Sequence, residues 1–175
     1  MQRIREFQAA HIYSTVQEHV VKNAIVMFSV ELLLRLLPEH APLLTLFDFA
    51  TGYFITLDKK EVNAVANFPL YFIIECSRLL GYEPHGDYSE QTPHLNLHEG
   101  GFTKEAPALN PFVSDEDARM LGLLLQVQDY DGLKAVEINA AIRLRLIDWY
   151  IAFLQSHTQH MGNMRSISVL RMILH

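Results

Sequence analysis

Between Phe68 and Leu80 nearly every position is apolar, and the interruptions, Glu75, Ser77 and Arg78, all fall in the second half. A helix that is hydrophobic almost all round is one that its neighbours surround. The run FPLYFIIECSRLLGYEP therefore predicts a central core helix, ended by Gly81 and Pro84. Upstream, Val20, Ala24, Met27, Phe28, Leu32 and Leu36 recur at helical spacing and predict a first helix from Val16 to Leu37. Ser14 with Gln17 resembles a capping box at its start, and Pro38 stops it. A second helix is expected from near Ala41, with Pro42 in its first turn and Leu43, Leu46, Phe47, Phe49, Ala50, Phe54 and Leu57 facing the core. The short joint between the two predicts an antiparallel pair. Asp58 and Glu61 read as the next cap pair, opening a third helix near Lys59 that runs to Leu80. Pro69 inside it predicts a kink or break near Ala66 to Phe68.

The pattern changes from Gly81 to Pro111, which holds Pro84, Gly86, Pro93, Gly100, Gly101 and Pro107 and shows no helical period. Leu95 and Leu97 alternate with polar residues, Gly100-Gly101 turns the chain, and Phe102 follows, which predicts a small hairpin. Ser114 with Asp115, Glu116 and Asp117 opens a fourth helix, the acids complementing its dipole. Asp129 to Gly132 breaks the chain, Asp129 and Asp131 reading as turn residues. A long fifth helix is expected from Asn139 to His157, with Ile142, Leu146, Trp149, Tyr150, Phe153 and Leu154 inward. Gly162 ends the next turn, and Ser166 caps a short final helix. The sum is a mainly all-α fold of about six helices, with one small β-hairpin in the connection after the third. Met1 to Ala10, with only Ile4 and Phe7 as apolar anchors, reads as a stub strand, and residues 1–11 read as the remnant of a removed domain ahead of a helical domain over 12–175.

At 175 residues the chain is one domain, and 50% hydrophobic residues suffice for a sizeable core. No apolar run approaches a membrane span, and no signal segment opens the chain, which makes a cytoplasmic location the expectation. A single cysteine, Cys76, excludes an internal disulfide and a cysteine zinc site, and its apolar setting makes it inert. The formal charge of −6 is a poor match for phosphate backbones. His94 and His98, with His85, Asp87 and Glu99 nearby, could ligate a metal only on one helix face, and they flank a strand-like segment instead. No nucleophile elbow, P-loop or dinucleotide fingerprint is present, and nothing points to an enzyme or a cofactor. Basic groups gather in the last third: Arg143, Arg145, His157, His160, Arg165, Arg171 and His175. They are a solvated helix surface or a docking face for an acidic partner.

Four stretches in order resemble the C-terminal helical domain of RecO, the bacterial recombination mediator. They are VELLLRLLPE at Val30 to Glu39, LLGYEP ending at Pro84, LHEGGF at Leu97 to Phe102, and the closing HTQHMGNMRSISVLRMIL with His157, Arg165, Ser166 and Leu170. The resemblance implies a non-enzymatic role in DNA repair and recombination. In that family an N-terminal OB-fold domain binds single-stranded DNA; Met1 to Ala10 would be its last strand. The helical domain contacts RecR and the acidic C-terminal tail of the single-strand-binding protein SSB, and so assists RecA loading and strand annealing. The family commonly carries a four-cysteine zinc site after LLGY. Tyr82 to Pro111 has no cysteine, so zinc is not carried over, and the chain is similar to the cysteine-free RecO-like proteins of the Bacteroides group. An acidic tail needs an apolar pocket ringed by cations, and the candidates here are Arg143, Arg145, Arg165 and Arg171, around a groove formed if the last helix folds back on the fifth.

Two other classes share some of these features. A small-molecule-binding helical regulatory domain needs an enclosed apolar cavity, and a metal-dependent hydrolase needs His94 and His98 on one face. Protein purified without added metal should contain no stoichiometric zinc, and a chelator should leave the melting temperature unchanged; a full equivalent of zinc by elemental analysis would overturn the metal-free expectation.

Overall fold

The computed structural model describes residues 6, 8–38, 42–109, 111–159 and 161–174. In chain order the elements are α1 (Val20–Leu36), α2 (Leu44–Lys59), a 3-10 turn (Val62–Ala64), α3 (Phe68–Leu80), β1 (His94–Asn96), β2 (Gly101–Thr103), β3 (Phe112–Val113), α4 (Asp115–Leu125), α5 (Tyr130–Ala135), α6 (Ala140–His157) and α7 (Ser166–Ile173). The fold is mainly α-helical with one small sheet. α3 is the centre: Phe68 to Ile74, Cys76 and Ser77 are all buried, and α1, α2, α4 and α6 pack round it. Its end follows the sequence. Gly81 takes the left-handed conformation at φ 77°, and the Tyr82 N–H returns to the Ser77 carbonyl at 2.8 Å.

The first 60 residues depart from expectation because two side chains have longer-range partners. α1 starts at Val20 rather than Val16, and its N-cap, His19, makes no side-chain cap bond. Ser14 caps nothing. Its N–H and hydroxyl donate to the Asp58 carboxylate at 3.0 and 3.1 Å, and the N–H groups of Thr15 and Val16 add bonds of 2.7 and 2.9 Å. Asp58 opens no helix either; it lies buried in the last turn of α2, which continues to Lys59. The Lys22 ammonium, 2% exposed, completes the clip by donating to Thr15 Oγ1 and the Asp58 carbonyl at 2.6 and 2.8 Å. The break expected before Pro69 occurs: Lys60 is extended, the 3-10 turn follows, and Pro69 sits in the first turn of α3, where its missing N–H costs nothing. Ala41, the expected start of the second helix, lies outside the described residues, as do Ile4 and Phe7 of the expected stub strand; α2 begins at Leu44 with Leu43 as its N-cap, so Pro42 precedes the helix rather than sitting in its first turn. Gln8 to His11, which are described, form no strand.

The connection after α3 holds three strands, not two. β1 pairs antiparallel with β2, Leu95 opposite Phe102, and also with β3, Leu95 opposite Val113. Leu95 and Leu97 are buried as their alternation predicts. Asn96 between them is buried too, and its side-chain oxygen closes the turn by accepting from the His98 and Glu99 N–H groups. Gly100, at φ 76°, takes a backbone conformation that a side chain would strain, and a Cβ there would press to 3.1 Å from Phe153 and His157 of α6. His157 Nε2 and the Leu97 carbonyl, 3.1 Å apart, pin the hairpin to α6.

Asp129 is more than a turn residue. It caps α5, an unforeseen short helix, accepting from the Gly132 N–H at 2.7 Å. α6 begins where the pattern predicts, with Asn139 accepting from the Ile142 N–H; Trp149 is half-buried rather than fully inward. α7 folds back chiefly onto α1, not α6. Ser166 is its first residue and not its cap. The orphan N–H groups of Arg165 and Ser166 are satisfied by the two carboxylate oxygens of Glu31, on α1, at 2.9 and 2.8 Å. Burial works against the charged Glu31, yet the donors from Ser166, Arg165 and Arg35 outweigh it and hold the carboxyl at about 2. Burial likewise opposes the Asp58 charge, and the three backbone donors hold its carboxyl well below the usual range.

Asp58→Ala should lower the unfolding free energy by about 3 kcal/mol, the upper range for bonds to a charged group. Urea titration reads it as a lower midpoint at unchanged slope; a loss under about 0.5 kcal/mol would show the clip to be dispensable. A second expectation concerns acid. Both carboxyls titrate lower in the fold than in the unfolded chain, so the unfolded state binds more protons and stability falls with falling pH. The Glu31 contribution is complete above its ordinary value of 4.5 and is lost as the pH drops towards about 2. Acid unfolding followed by circular dichroism should show this slope, and Glu31→Gln should flatten it.

Candidate functional site

The break between α2 and α3 leaves a gap that α5 and the start of α6 only partly fill. The result is an open cleft of about 1040 Å³. Its floor is apolar, with Phe68, Leu133, Ile138 and Ile142 all buried and Tyr130 stacked on Phe68 at 5.3 Å. Burial beside Tyr71 raises the Tyr130 phenol to about 12, so it stays neutral. One wall is a polar brace. Asn67 donates to the Val136 carbonyl at 3.2 Å and accepts from Arg143 Nε at 2.9 Å, while Arg143 Nη2 donates to the Ile138 carbonyl at 2.9 Å. Burial lowers the Arg143 pKa from its ordinary value without threatening its charge. The rim carries Lys59, Lys60 and Lys134 together with Glu61, Glu116 and Glu137. That mixture gives no single-sign field of the kind a nucleic-acid groove requires.

The four arginines singled out in the sequence are not brought together. Arg143 alone of them lines the cleft. Arg145 grips Asp117 with two bonds of 2.8 and 2.7 Å, and Trp149 Nε1 donates to the same carboxylate at 3.2 Å. Arg171 pairs with Asp148 of α6, an exposed pair of the kind worth little to stability. Arg165 is exposed at the start of α7, its N–H used by Glu31. Two of these guanidinium groups, Arg145 and Arg171, are thus paired with acids of other elements: charge type was legible, but the acids opposite were not. His157 serves the hairpin, and His160 and His175 lie outside the described residues.

The remaining chemical candidates have structural surroundings. Cys76 is buried, and burial pushes its thiol well above the usual range. His94 lies in β1 with its ring edge to Phe112 at 5.6 Å, and His98 is exposed in the turn that follows. Among the described residues no group of three or more His, Cys, Asp or Glu is placed to hold a metal. The segment from Tyr82 to Pro111 contains no cysteine, so a four-cysteine site has no thiolates there. The cleft, and an apolar groove of about 210 Å³ between Tyr13, Val16, Val26, Val30 and Phe54, are both open to solvent, unlike the enclosed cavity of a small-molecule-binding domain. No described helix is long and apolar enough to cross a membrane. Sequence reasoning missed Asn67 and the cleft itself; the signal at hand was the break that Pro69 predicts near Ala66 to Phe68.

With this geometry in view, known proteins show what the chain is similar to. The family model described as recombination protein O, C terminal, matches residues 17–166. The DNA repair protein RecO of Christiangramia forsetii is 25% identical over 173 residues, covering 99% of this chain and 70% of that protein. Its counterpart in Bacteroides fragilis is 26% identical over 171 residues, covering 97% and 69%. That of Flavobacterium johnsoniae is 28% identical over 178 residues, covering 99% and 70%. No solved structure matches the chain.

Proposed function

The chain belongs to the RecO family of DNA repair proteins, whose C-terminal domain it carries, and on that premise we propose that its work is non-enzymatic docking in recombinational repair. In this reading residues 12–175 engage RecR and the acidic C-terminal tail of SSB, and so assist RecA loading and strand annealing. Contact with single-stranded DNA rests mainly on an OB-fold domain outside these residues. An acidic chain with a mixed-sign cleft has little to offer a phosphate backbone.

The observation that carries the reading is the cleft between α3, α5 and α6. A short peptide ending in acidic and aromatic residues needs an apolar seat with cations at its edge. Phe68, Leu133, Ile138 and Ile142 supply the seat, and Lys59, Lys60, Lys134 and Arg143 supply the charge. Arg143 is held in place by Asn67 before any ligand arrives, which lowers the ordering cost of binding. Glu61, Glu116 and Glu137 on the same rim limit the attraction and restrict the peptide's path. Arg145, Arg165 and Arg171 stand as the second candidate set, on the surface of α6 and α7.

The test is a fluorescence anisotropy titration with an SSB tail peptide. Lys60→Glu and Lys134→Glu should each weaken binding by about ten-fold or more, the loss of one contact to a charged group, with melting temperatures unchanged. Raised salt should weaken the wild type as well. Loss of binding in Arg165→Glu and Arg171→Glu with the cleft variants silent would move the tail to the α6–α7 surface. Absence of binding in the wild type at low salt would overturn the docking role.

A further inference from the structure

The outward face of α1 has a pattern the core does not explain. Val20, Asn23, Met27, Val30, Leu34 and Leu37 are spaced by alternating threes and fours, and all are exposed. Met27 is 50% exposed, Val30 43%, Leu34 75% and Leu37 44%. Such a strict two-in-seven seam is the pattern by which one helix packs along another. On α2, Phe47, Thr51, Phe54 and Asp58 share one face by the same spacing. Phe54 lines the apolar groove with Val26 and Val30. Phe47, 67% exposed, and Leu44, 76% exposed, therefore extend the α1 face rather than lie apart from it.

The charged groups of α1 are spent elsewhere. Lys22 bonds Thr15 and Asp58, Glu31 bonds the start of α7, and Arg35 bonds Glu31 and the Asn163 carbonyl. The seam on α1 therefore carries no charge to repel an identical seam, and the exposed Asp48, one turn after Leu44, stands at the edge of the α2 portion. Seven apolar side chains, five on the α1 seam with Leu44 and Phe47 beside them, each with roughly 100 Å² to cover, make about 700 Å² per copy, above the ~600 Å² of a monomer's largest apolar patch and close to the ~800 Å² per partner of a standard interface.

We infer that the outward face of α1 and the start of α2 form a contact between two copies of this chain, with the two α1 helices antiparallel about a two-fold axis. That arrangement is self-complementary. The axis passes between positions 28 and 29, so Met27 of each copy meets Val30 of the other, and Val20 meets Leu37. Both ends of the seam are then covered by apolar residues, with Asn23 alone adding a polar group.

Sedimentation velocity of the chain from roughly 2 to 200 μM decides the matter, since a reversible dimer forms by mass action. The expected mass at the upper end is twice the 20.1 kDa of the monomer. Leu34→Glu counts twice in a two-fold contact and should weaken the dimer by about 100-fold or more. Leu34 is exposed, so the variant should keep the circular dichroism spectrum of the parent. Leu123→Glu, on α4 and 45% exposed, should leave the dimer intact. Mixed Met27→Cys and Val30→Cys proteins should cross-link to each other faster than to themselves; Cys76 is buried and does not compete. A monomer throughout the range, or a dimer that Leu34→Glu leaves untouched, would overturn the contact. Preferential cross-linking of Met27→Cys to itself would overturn the antiparallel arrangement.

Discussion

Two carboxylates hold this domain's chain ends to its middle. Asp58 receives three consecutive backbone N–H groups from residues 14–16, and Glu31 receives those of Arg165 and Ser166. Backbone donors at the start of a helix or a tight turn have no partner of their own and must find one. Here the local candidates are missing: neither His19 nor Arg165 makes a side-chain cap bond. Glu31, on a helix more than a hundred residues away, caps α7 instead, and Asp58, some 42 to 44 residues on, satisfies the turn that precedes α1. Charge makes the arrangement strong, because a bond to an ionised acceptor is about twice as strong as a neutral one. It also makes it specific, because a buried carboxylate without its donors would be costly.

These clips explain how the helical layer closes round α3. The N-terminal segment is tied to the end of α2, which fixes α1 against α2. Glu31 then brings α7 onto α1. With α7 committed to α1, the space beside α6 is shaped instead by the 3-10 turn and α5, and the cleft opens there. None of the residues that line the cleft comes from α1 or α7. Arg143 joins the two regions: it bonds Asn67 in the cleft and reaches the Leu174 carbonyl at the end of α7, 3.5 Å away.

The C-terminal arginines show where residue type misleads. On the sequence they form one basic cluster. In the fold Arg145 has Asp117 and Arg171 has Asp148, so their charge is answered within the domain, while Arg143 is held by neutral acceptors, two carbonyls and an amide, and keeps its charge unpaired among the described residues. A cation's availability depends on what faces it from another element, and Asp117 lies 28 residues from Arg145. Lys59 and Lys60 were visible as a pair at the end of α2, but nothing local tied Lys60 to Lys134 of the α5 helix, a helix too short to leave a period in the sequence.

The apolar pattern by itself determined the helical class, the central place of Phe68 to Leu80, the break ahead of Pro69, the hairpin after it and the extent of α6. Each of these rests on spacing, on proline and glycine stereochemistry, or on burial that a run of apolar residues cannot avoid. The four stretches that resembled RecO were likewise legible, being matters of residue order. Tertiary structure alone decided the roles of Ser14, Asp58 and Glu31, the third strand Phe112–Val113, and the membership of the cleft. Cap signals are short and ambiguous: a serine or an aspartate satisfies whichever N–H groups the fold brings nearest, and sequence distance does not say which those are.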